Sequence, residues 1–373
     1  MEQCLCSVKE AIRDIDTEVI VADNASSDDT IAYLQPAFPW VQFIENKSNE
    51  GFAKANNKAF ETATGQYILF LNPDTILAED TLLRCLSFYQ SHLDAGVIGV
   101  RMIDGSGIFL PESKRSFPSP LVAFYKLVGL SSLFPSSKWF GKYALGYLSQ
   151  NDVHEVDVIS GAFMMIPKTI LDKTGAFDER FFMYAEDIDL SYSVQKAGFF
   201  NYYLGDTAII HFKGESTKKG SLNYVRVFYN AMILFVKKWY PGTGSWLLRK
   251  SMQAGIFIRG SVSAFALPLQ KKKKKISSFS NIVLIGDVQD TNLAKDIAYH
   301  CCAGKNIMTI TETDRGELSD SVMVFCLGRL SYKESIEWMR SQKAHSYKWF
   351  GKNSKSFVGS DSKNSSGEVW VKI

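Results

Sequence analysis

Four short stretches of this 373-residue chain hold the groups from which a site could be built: Asp23-Asn24-Ala25-Ser26, Asn72-Pro73-Asp74, Glu186-Asp187 and His211. In the second, the apolar run Tyr67 to Leu71 is cut short by Pro73, which fixes φ and cannot extend a central strand. Asp74 is thereby aimed past the end of a sheet. A carboxylate held there suits a hard divalent cation bridging to substrate phosphates, although the same residues also make an ordinary turn. In the third stretch, Leu190, Val194 and Ala197 recur at helical spacing and Gly198 follows as a stop, so Glu186 and Asp187 fall in a first helical turn. The helix dipole there favours an ionised carboxylate, which acts as a base. A simple helix cap needs only one acidic residue. Phe177, Phe181, Phe182 and Tyr184 just upstream predict the wall of a pocket. His211 closes the apolar run of residues 207 to 210; alone it reads as packed or solvated, and beside Asp74 it is a candidate metal ligand. Asp23, followed by Ser26, Ser27 and Asp28, fits either a hydrogen bond to a nucleotide base or ribose, or an Asx-capped turn between strand and helix.

The elements that position these groups alternate. Glu18 to Ala22, Val41 to Glu45 and Tyr67 to Leu71 are β-rich runs separated by two stretches with helical spacing, the second ending at Gly65. That order predicts a parallel α/β sheet, in which ligands bind at the carboxyl ends of strands. Asp23 and Asp74 both sit there. Residues 104 to 153 form an aromatic stretch rich in Gly, Pro and Ser, read as loops with short helices covering a site. Val156 to Pro167 reads as a strand. After an amphipathic segment, Ala254 to Leu269, and the run Lys271 to Lys275, Asn281 to Asp287 opens a second, smaller α/β unit. The predicted domains are 1–240, a linker over 241–275, and 276–373.

Composition narrows the partners. A net charge of +3 does not call for nucleic acid, and 46% apolar residues are ample for two cores. The six cysteines show no paired CxxC spacing, which fits reduced thiols in a cytoplasmic protein. No stretch has the pattern of a signal peptide, and Ala254 to Leu269 is too short for a membrane span and carries Arg259. With the five lysines after it, that segment fits either peripheral contact with an anionic membrane surface or a solvated linker.

The stretches DNASSDDT, NEGFAKANN, GQYILFLNPDT, ISGAFMMIP, FDERFFMYAEDIDLSYSVQKAGF and IIHFKGEST, in that order, resemble the family 2 glycosyltransferases of the GT-A fold, and bacterial rhamnosyltransferase-like members in particular. The resemblance covers residues 1 to about 240. It implies a mixed, mostly parallel sheet flanked by helices, Asp23 against the nucleotide base, and Asn24, Ser26 and the segment Gly51-Phe52-Ala53 nearby. Asn72 takes the first place of the family's Asp-x-Asp motif and Asp74 the last, where it would hold Mg²⁺ or Mn²⁺ together with His211. Gly161 and Ala162 match backbone positions beside sugar and acceptor, and Asp187 of the Glu186-Asp187 pair matches the catalytic base.

By the same resemblance the chain performs an inverting transfer from a dTDP- or UDP-sugar to a glycan or polyprenyl-linked acceptor, at the cytoplasmic face of the plasma membrane. Family members carry a further strand before the segment that matches EQCLCSV, so the resemblance implies a sheet lacking its first strand. A non-catalytic sugar-nucleotide binder or scaffold is the alternative that this leaves open. A nucleotidyltransferase would need a basic Gly-rich loop near the N-terminus, which is absent. The C-terminal unit is similar to the nucleotide-fold domains of membrane sugar-phosphate transferases, but it lacks G-x-G-x-x-G.

Overall fold

The computed structural model describes residues 1–119, 122, 125, 129–212, 222–240, 279–302, 304–310, 318, 320–352, 354–360 and 368–371. The amphipathic segment, the lysine run and residues 213–217 lie outside them. Among the described residues no helix is long and apolar enough to cross a membrane.

The predicted alternation is present at the start of the chain. Helix α1 (Glu2–Ala11) leads to β1 (Val19–Asp23), α2 (Thr30–Ala37), β2 (Val41–Glu45), α3 (Phe52–Thr62) and β3 (Tyr67–Leu71). Strands β1 and β2 pair in parallel, as a two-stranded sheet of their own. A six-stranded sheet has the order β3, β9 (Phe163–Pro167), β5 (Ala95–Ile103), β10 (Phe200–His211), β4 (Thr75–Ile76), with β7 (His154–Val156) also on β10. All nine residues of β5 are buried, as befits a strand covered on both faces.

The α/β class and the mixed sheet are as expected, but the balance of directions differs. Only β5 and β10 run parallel in the six-stranded sheet; β3 with β9, β5 with β9, and β10 with both β4 and β7 are antiparallel. The reason lies in Val156 to Pro167, which is not one strand. It divides into β7, β8 (Val158–Ile159) and β9, because Ser160-Gly161-Ala162 turns the chain. The reversed β9 slots between β3 and β5. Strand β8 pairs instead with β6 (Lys114–Arg115), which lies within the loop-rich stretch.

Helix α4 (Thr81–Ser91) follows β4, α5 (Lys168–Thr174) follows β9, α6 (Glu186–Lys196) precedes β10, and α7 (Leu222–Trp239) comes after it. Lys238 and the indole N–H of Trp239, at the end of α7, both donate to the buried Asp189 on α6, at 2.7 and 2.6 Å. That clamp fixes the helix that carries Glu186 and Asp187.

The C-terminal unit has a parallel core of β12 (Asn306–Ile310), β11 (Asn281–Ile285), β13 (Ser321–Cys326) and β14 (Ser346–Phe350), extended antiparallel by β15 (Ser356–Gly359) and β16 (Glu368–Val371). Helices α8 (Val288–Cys301) and α9 (Tyr332–Ser341) flank it. It packs directly on the N-terminal unit. Ile76, Ile103 and Ile210 share one buried cluster with Val283, Phe325 and Trp349. The Glu79 carboxylate accepts from the backbone N–H groups of Tyr332 and Lys333, at 2.6 and 3.0 Å. These are first-turn amides of α9 with no partner inside their own helix.

Candidate active site

Pro73 ends β3 as the sequence predicts, and the hydrogen bonds around it hold the turn. The N–H of Asn72 donates to Ala162 O at 3.0 Å, and the Thr75 hydroxyl donates to Asn72 O at 2.7 Å. Strand β4 then pairs antiparallel with the end of β10, Thr75 opposite His211, and Phe212 N–H donates to Asp74 O at 2.9 Å. Two residues 137 positions apart in sequence thus become cross-strand neighbours. His211 Nε2 lies 3.3 Å from Asp74 Oδ1 and 3.5 Å from Asn72 Nδ2. The buried Asn72 Oδ1 and His211 Nδ1 have no hydrogen-bond partner among the described residues.

No three His, Cys, Asp or Glu side chains gather as a metal cluster among the described residues. Asp74 and His211 nonetheless fit a divalent cation whose remaining ligands come from elsewhere. They offer one carboxylate and one imidazole, and the orphaned Asn72 oxygen beside them is a hard donor.

At the other side, Asp187 stands in the first turn of α6, whose preceding residues Tyr184 and Ala185 both adopt left-handed backbone, φ 71° and 62°. Asp187 Oδ2 accepts from Arg115 Nη2 at 2.5 Å and from Gly161 N–H at 3.2 Å; Oδ1 accepts from Ile188 N–H at 2.8 Å. A side chain on Gly161 would meet the Asp187 Cβ at 3.4 Å, so this glycine is what lets the β8–β9 turn approach the carboxylate. Burial opposes the charge on Arg115, but the adjacent Asp187 and Tyr143 outweigh it and its pKa is raised. Arg115 was not singled out by its sequence. The only signal is a basic pair, Lys114-Arg115, inside a stretch rich in aromatics, Gly, Pro and Ser. Lys114 beside it is buried, donates to Leu145 O at 2.7 Å, and has its pKa lowered to about 8 by that burial.

Glu186 corrects the expectation drawn from the helix dipole. It is buried, its Oε2 has no partner among the described residues, and its pKa is pushed up to about 8 by burial and by the charge of Asp187. Desolvation outweighs the helix terminus here. Burial thus favours the protonated form of Glu186 at neutral pH. With a folded pKa above the ordinary value of 4.5, its contribution to stability is complete below about pH 4.5 and is lost as pH rises to about 8. Glu186→Gln is expected to remove that slope. The variant's melting temperature should gain on the parent's steadily between pH 5 and pH 8, and parallel curves across that range would show Glu186 to be ionised throughout.

The remaining predicted residues divide. Asn24 donates to Asn49 Oδ1 at 3.0 Å and to Gly51 O at 3.2 Å, and accepts from Glu50 N–H at 2.9 Å, so it ties the end of β1 to the loop before α3. Gly51 has φ 86°, and a side chain there would lie 2.6 Å from Phe182. The Asp23 carboxylate accepts from the N–H and hydroxyl of Ser26, at 3.0 and 2.5 Å. The capped turn is present, and Asp23 does not line the cleft described next, whereas Asn24 and Ser26 do.

Ala53 and the aromatics also depart from expectation. Ala53 is 1% exposed in a core cluster because α3 turns it inward. Phe177 and Phe181 are core residues as well, and Phe182 is exposed. Of the four aromatics only Tyr184 lines the cleft.

That cleft, of about 2480 Å³, is bordered by Asn72, Asp74, His211, Gly161, Ala162, Glu186 and Asp187, and by Gly51 and Phe52. The metal-type pair and the carboxylate on α6 thus open on one space. Such an arrangement can bind a diphosphate and draw a proton within one cleft.

Comparison with known proteins agrees with this chemistry. The family model for glycosyl transferase family 2 matches residues 1–175. The N-acetylglucosaminyl-diphospho-decaprenol L-rhamnosyltransferase of Mycobacterium tuberculosis is 25% identical over 261 residues, 65% of this chain and 84% of that protein. Rhamnosyltransferase WbbL of Escherichia coli is 28% identical over 171 residues, 43% of this chain and 61% of that protein. Among solved structures, Staphylococcus aureus TarS (1–349) superposes with a TM-score of 0.43 at 16% identity, over 80% of this chain and 76% of that one. Residues 1–175 thus match the glycosyl transferase family 2 domain.

Proposed function

We propose that the chain transfers a hexose, rhamnose being the first candidate, from a dTDP- or UDP-sugar to a glycan or polyprenyl-diphosphate-linked acceptor, with inversion at the anomeric carbon. The observation that carries this reading is the shared cleft, lined by the Asp74–His211 pair and by Asp187. The names of the M. tuberculosis and E. coli relatives support rhamnose and a lipid-linked acceptor.

Asp74 and His211 would hold Mg²⁺ or Mn²⁺, which supplies positive charge to the donor diphosphate when bound. Asp187 accepts the proton of the acceptor hydroxyl through a carboxylate held by Arg115, Gly161 and Ile188. The acceptor oxygen forms its bond to the anomeric carbon as the bond from that carbon to the diphosphate oxygen breaks, and the electron pair leaves with the nucleoside diphosphate. Protonated Glu186 adds no second negative charge beside the base. Asn24 and Gly51 shape the nucleotide end.

The lysine run and the segment before it fit peripheral contact with anionic lipid, which would bring the chain to a membrane-embedded acceptor. On this reading the transferase domain spans 1–240, and the linker leads to a second domain over 276–373.

Thermal-shift titration with dTDP-rhamnose, UDP-sugars and GDP-sugars in Mn²⁺ tests the donor. At a ligand concentration 100 times its Kd, a specific donor stabilises by about 2.7 kcal/mol. No shift with any nucleotide sugar, with or without metal, would remove the reading.

A further inference from the structure

Leu133, Phe134 and Trp139 are 70%, 52% and 72% exposed, three bulky apolar side chains on one loop. A single exposed apolar residue needs no explanation, but a group of them marks a contact surface. The loop that carries them is tightly built. A short helical turn, Leu130–Leu133, leads into it, and the Ser137 hydroxyl accepts from the N–H groups of Trp139 and Phe140, at 3.2 and 3.3 Å. Gly141 N–H donates to Ser137 O at 2.8 Å. The Pro135 carbonyl is lodged against Gly141 and Gly146, where added side chains would come within 1.9 and 2.1 Å of it. The Phe140 ring turns back, 5.0 Å from Tyr125 and 5.7 Å from Phe134 between centroids. Leu133 and Trp139 are thus held outward by an ordered loop.

The same segment walls the cleft. Ser131, Ser132, Pro135, Tyr143 and Gly146 border it, whereas Leu133, Phe134 and Trp139 do not. It is fastened to β6. Ser116 N–H donates to Tyr143 O at 2.9 Å, Lys114 Nζ donates to Leu145 O at 2.7 Å, and Arg115, which holds Asp187, hydrogen-bonds the Tyr143 side chain. One side of the loop therefore faces the site and the other faces solvent. Its charge is of one sign. No Asp or Glu occurs between Glu112 and Asp152, a stretch with five basic residues and eight aromatic ones. Lys138 and Lys142, which flank Trp139 in sequence, are exposed as well.

We propose that this loop is a bilayer-docking surface, in which Leu133, Phe134 and Trp139 enter the acyl boundary of an anionic membrane while Lys138 and Lys142 meet its phosphates. Tryptophan at headgroup level with lysine around it is the residue mix of that boundary. The cores of protein–protein interfaces are instead depleted in lysine. A stretch without a carboxylate also offers nothing to repel anionic lipid. The surface is separate from the run Lys271 to Lys275. Docking there stands apart from the glycosyl-transfer reading, since vesicle binding needs neither donor nor acceptor. It would hold one wall of the cleft against the bilayer.

The test floats the full chain with vesicles of phosphatidylcholine mixed with phosphatidylglycerol. Leu133→Ser/Trp139→Ser should weaken binding roughly tenfold or more, since two apolar side chains no longer leave water. Lys138→Gln/Lys142→Gln should also weaken it roughly tenfold or more. Lipids brominated on their acyl chains should quench the tryptophan emission of the bound parent. Trp139→Phe, which keeps an apolar side chain, should bind about as tightly with that quenching reduced. This variant decides the question alone if the serine variant does not fold. Four outcomes would each overturn the proposal. The parent fails to bind the vesicles; the serine variant binds as tightly as the parent, affinity being lost only when Lys271 to Lys275 are changed to Gln; bromine quenches parent and Trp139→Phe equally; or the serine variant loses self-association in place of vesicle binding.

Discussion

Turnover by the Asp187→Asn variant is expected to fall roughly 10²–10⁴-fold, the range that a positioned general base supplies. Donor affinity should stay within a few-fold of the parent if Asp187 serves as the base and takes no part in holding the metal. The substitution has a second effect that must be separated from the first. Asp187 pairs with Arg115, and the two side chains are only 14% and 13% exposed. Removing one charge strands the other, which costs about 3–5 kcal/mol for a fully buried pair and less for one with this residual exposure. The double variant Asp187→Asn/Arg115→Gln removes both charges. It should recover much of the lost melting temperature and none of the lost turnover. Turnover within tenfold of the parent in the single variant would place the base elsewhere.

Asp74→Ala should act at the opposite end of the reaction. Loss of residues that merely orient a metal ligand costs 10–100-fold in metal affinity. Loss of one of two protein ligands should cost at least as much, and the concentration of Mn²⁺ needed for donor binding should rise accordingly. Isothermal titration of the nucleotide sugar at several Mn²⁺ concentrations reads this directly. An unchanged Mn²⁺ requirement would remove Asp74 from the metal site. His211→Ala serves as the companion measurement, and its effect should overlap with that of Asp74→Ala rather than multiply it, since both residues would hold the same ion.

The strand ends were legible in the sequence because they depend on local chemistry. Pro73 stops β3 whatever surrounds it, and the spacing of Leu190, Val194 and Ala197 fixes a helix whose first turn must carry Glu186 and Asp187. The meeting of Asp74 with His211 is implied by the family resemblance and arises from a cross-strand pairing that no spacing encodes. The protonation of Glu186 was misjudged for a related reason. The helix dipole can be read from a helix start, whereas burial depends on which elements pack over it. Arg115 was overlooked because a basic residue in a loop carries no sign that it will be folded against a carboxylate 72 positions later. The reversal of β9 is hard to see in the sequence because Val156 to Pro167 is mostly apolar, and Ser160-Gly161 alone marks the turn. Ala53 shared a motif with Gly51 but not its direction.

The contact between the two units bears on how this protein can evolve. Phe212, the residue after His211, meets Trp349 of the C-terminal unit edge to face, with ring centroids 5.5 Å apart, and Ile76 and Ile210 lie in the same buried cluster. The core behind the Asp74–His211 pair is therefore shared property. A lineage that shed the C-terminal unit would leave these side chains facing water within two residues of the metal-type ligands. It would have to re-face β4 and the end of β10 with polar residues while keeping Asp74 and His211 in register. The C-terminal unit, whatever else it does, forms the back wall of the Asp74–His211 pair.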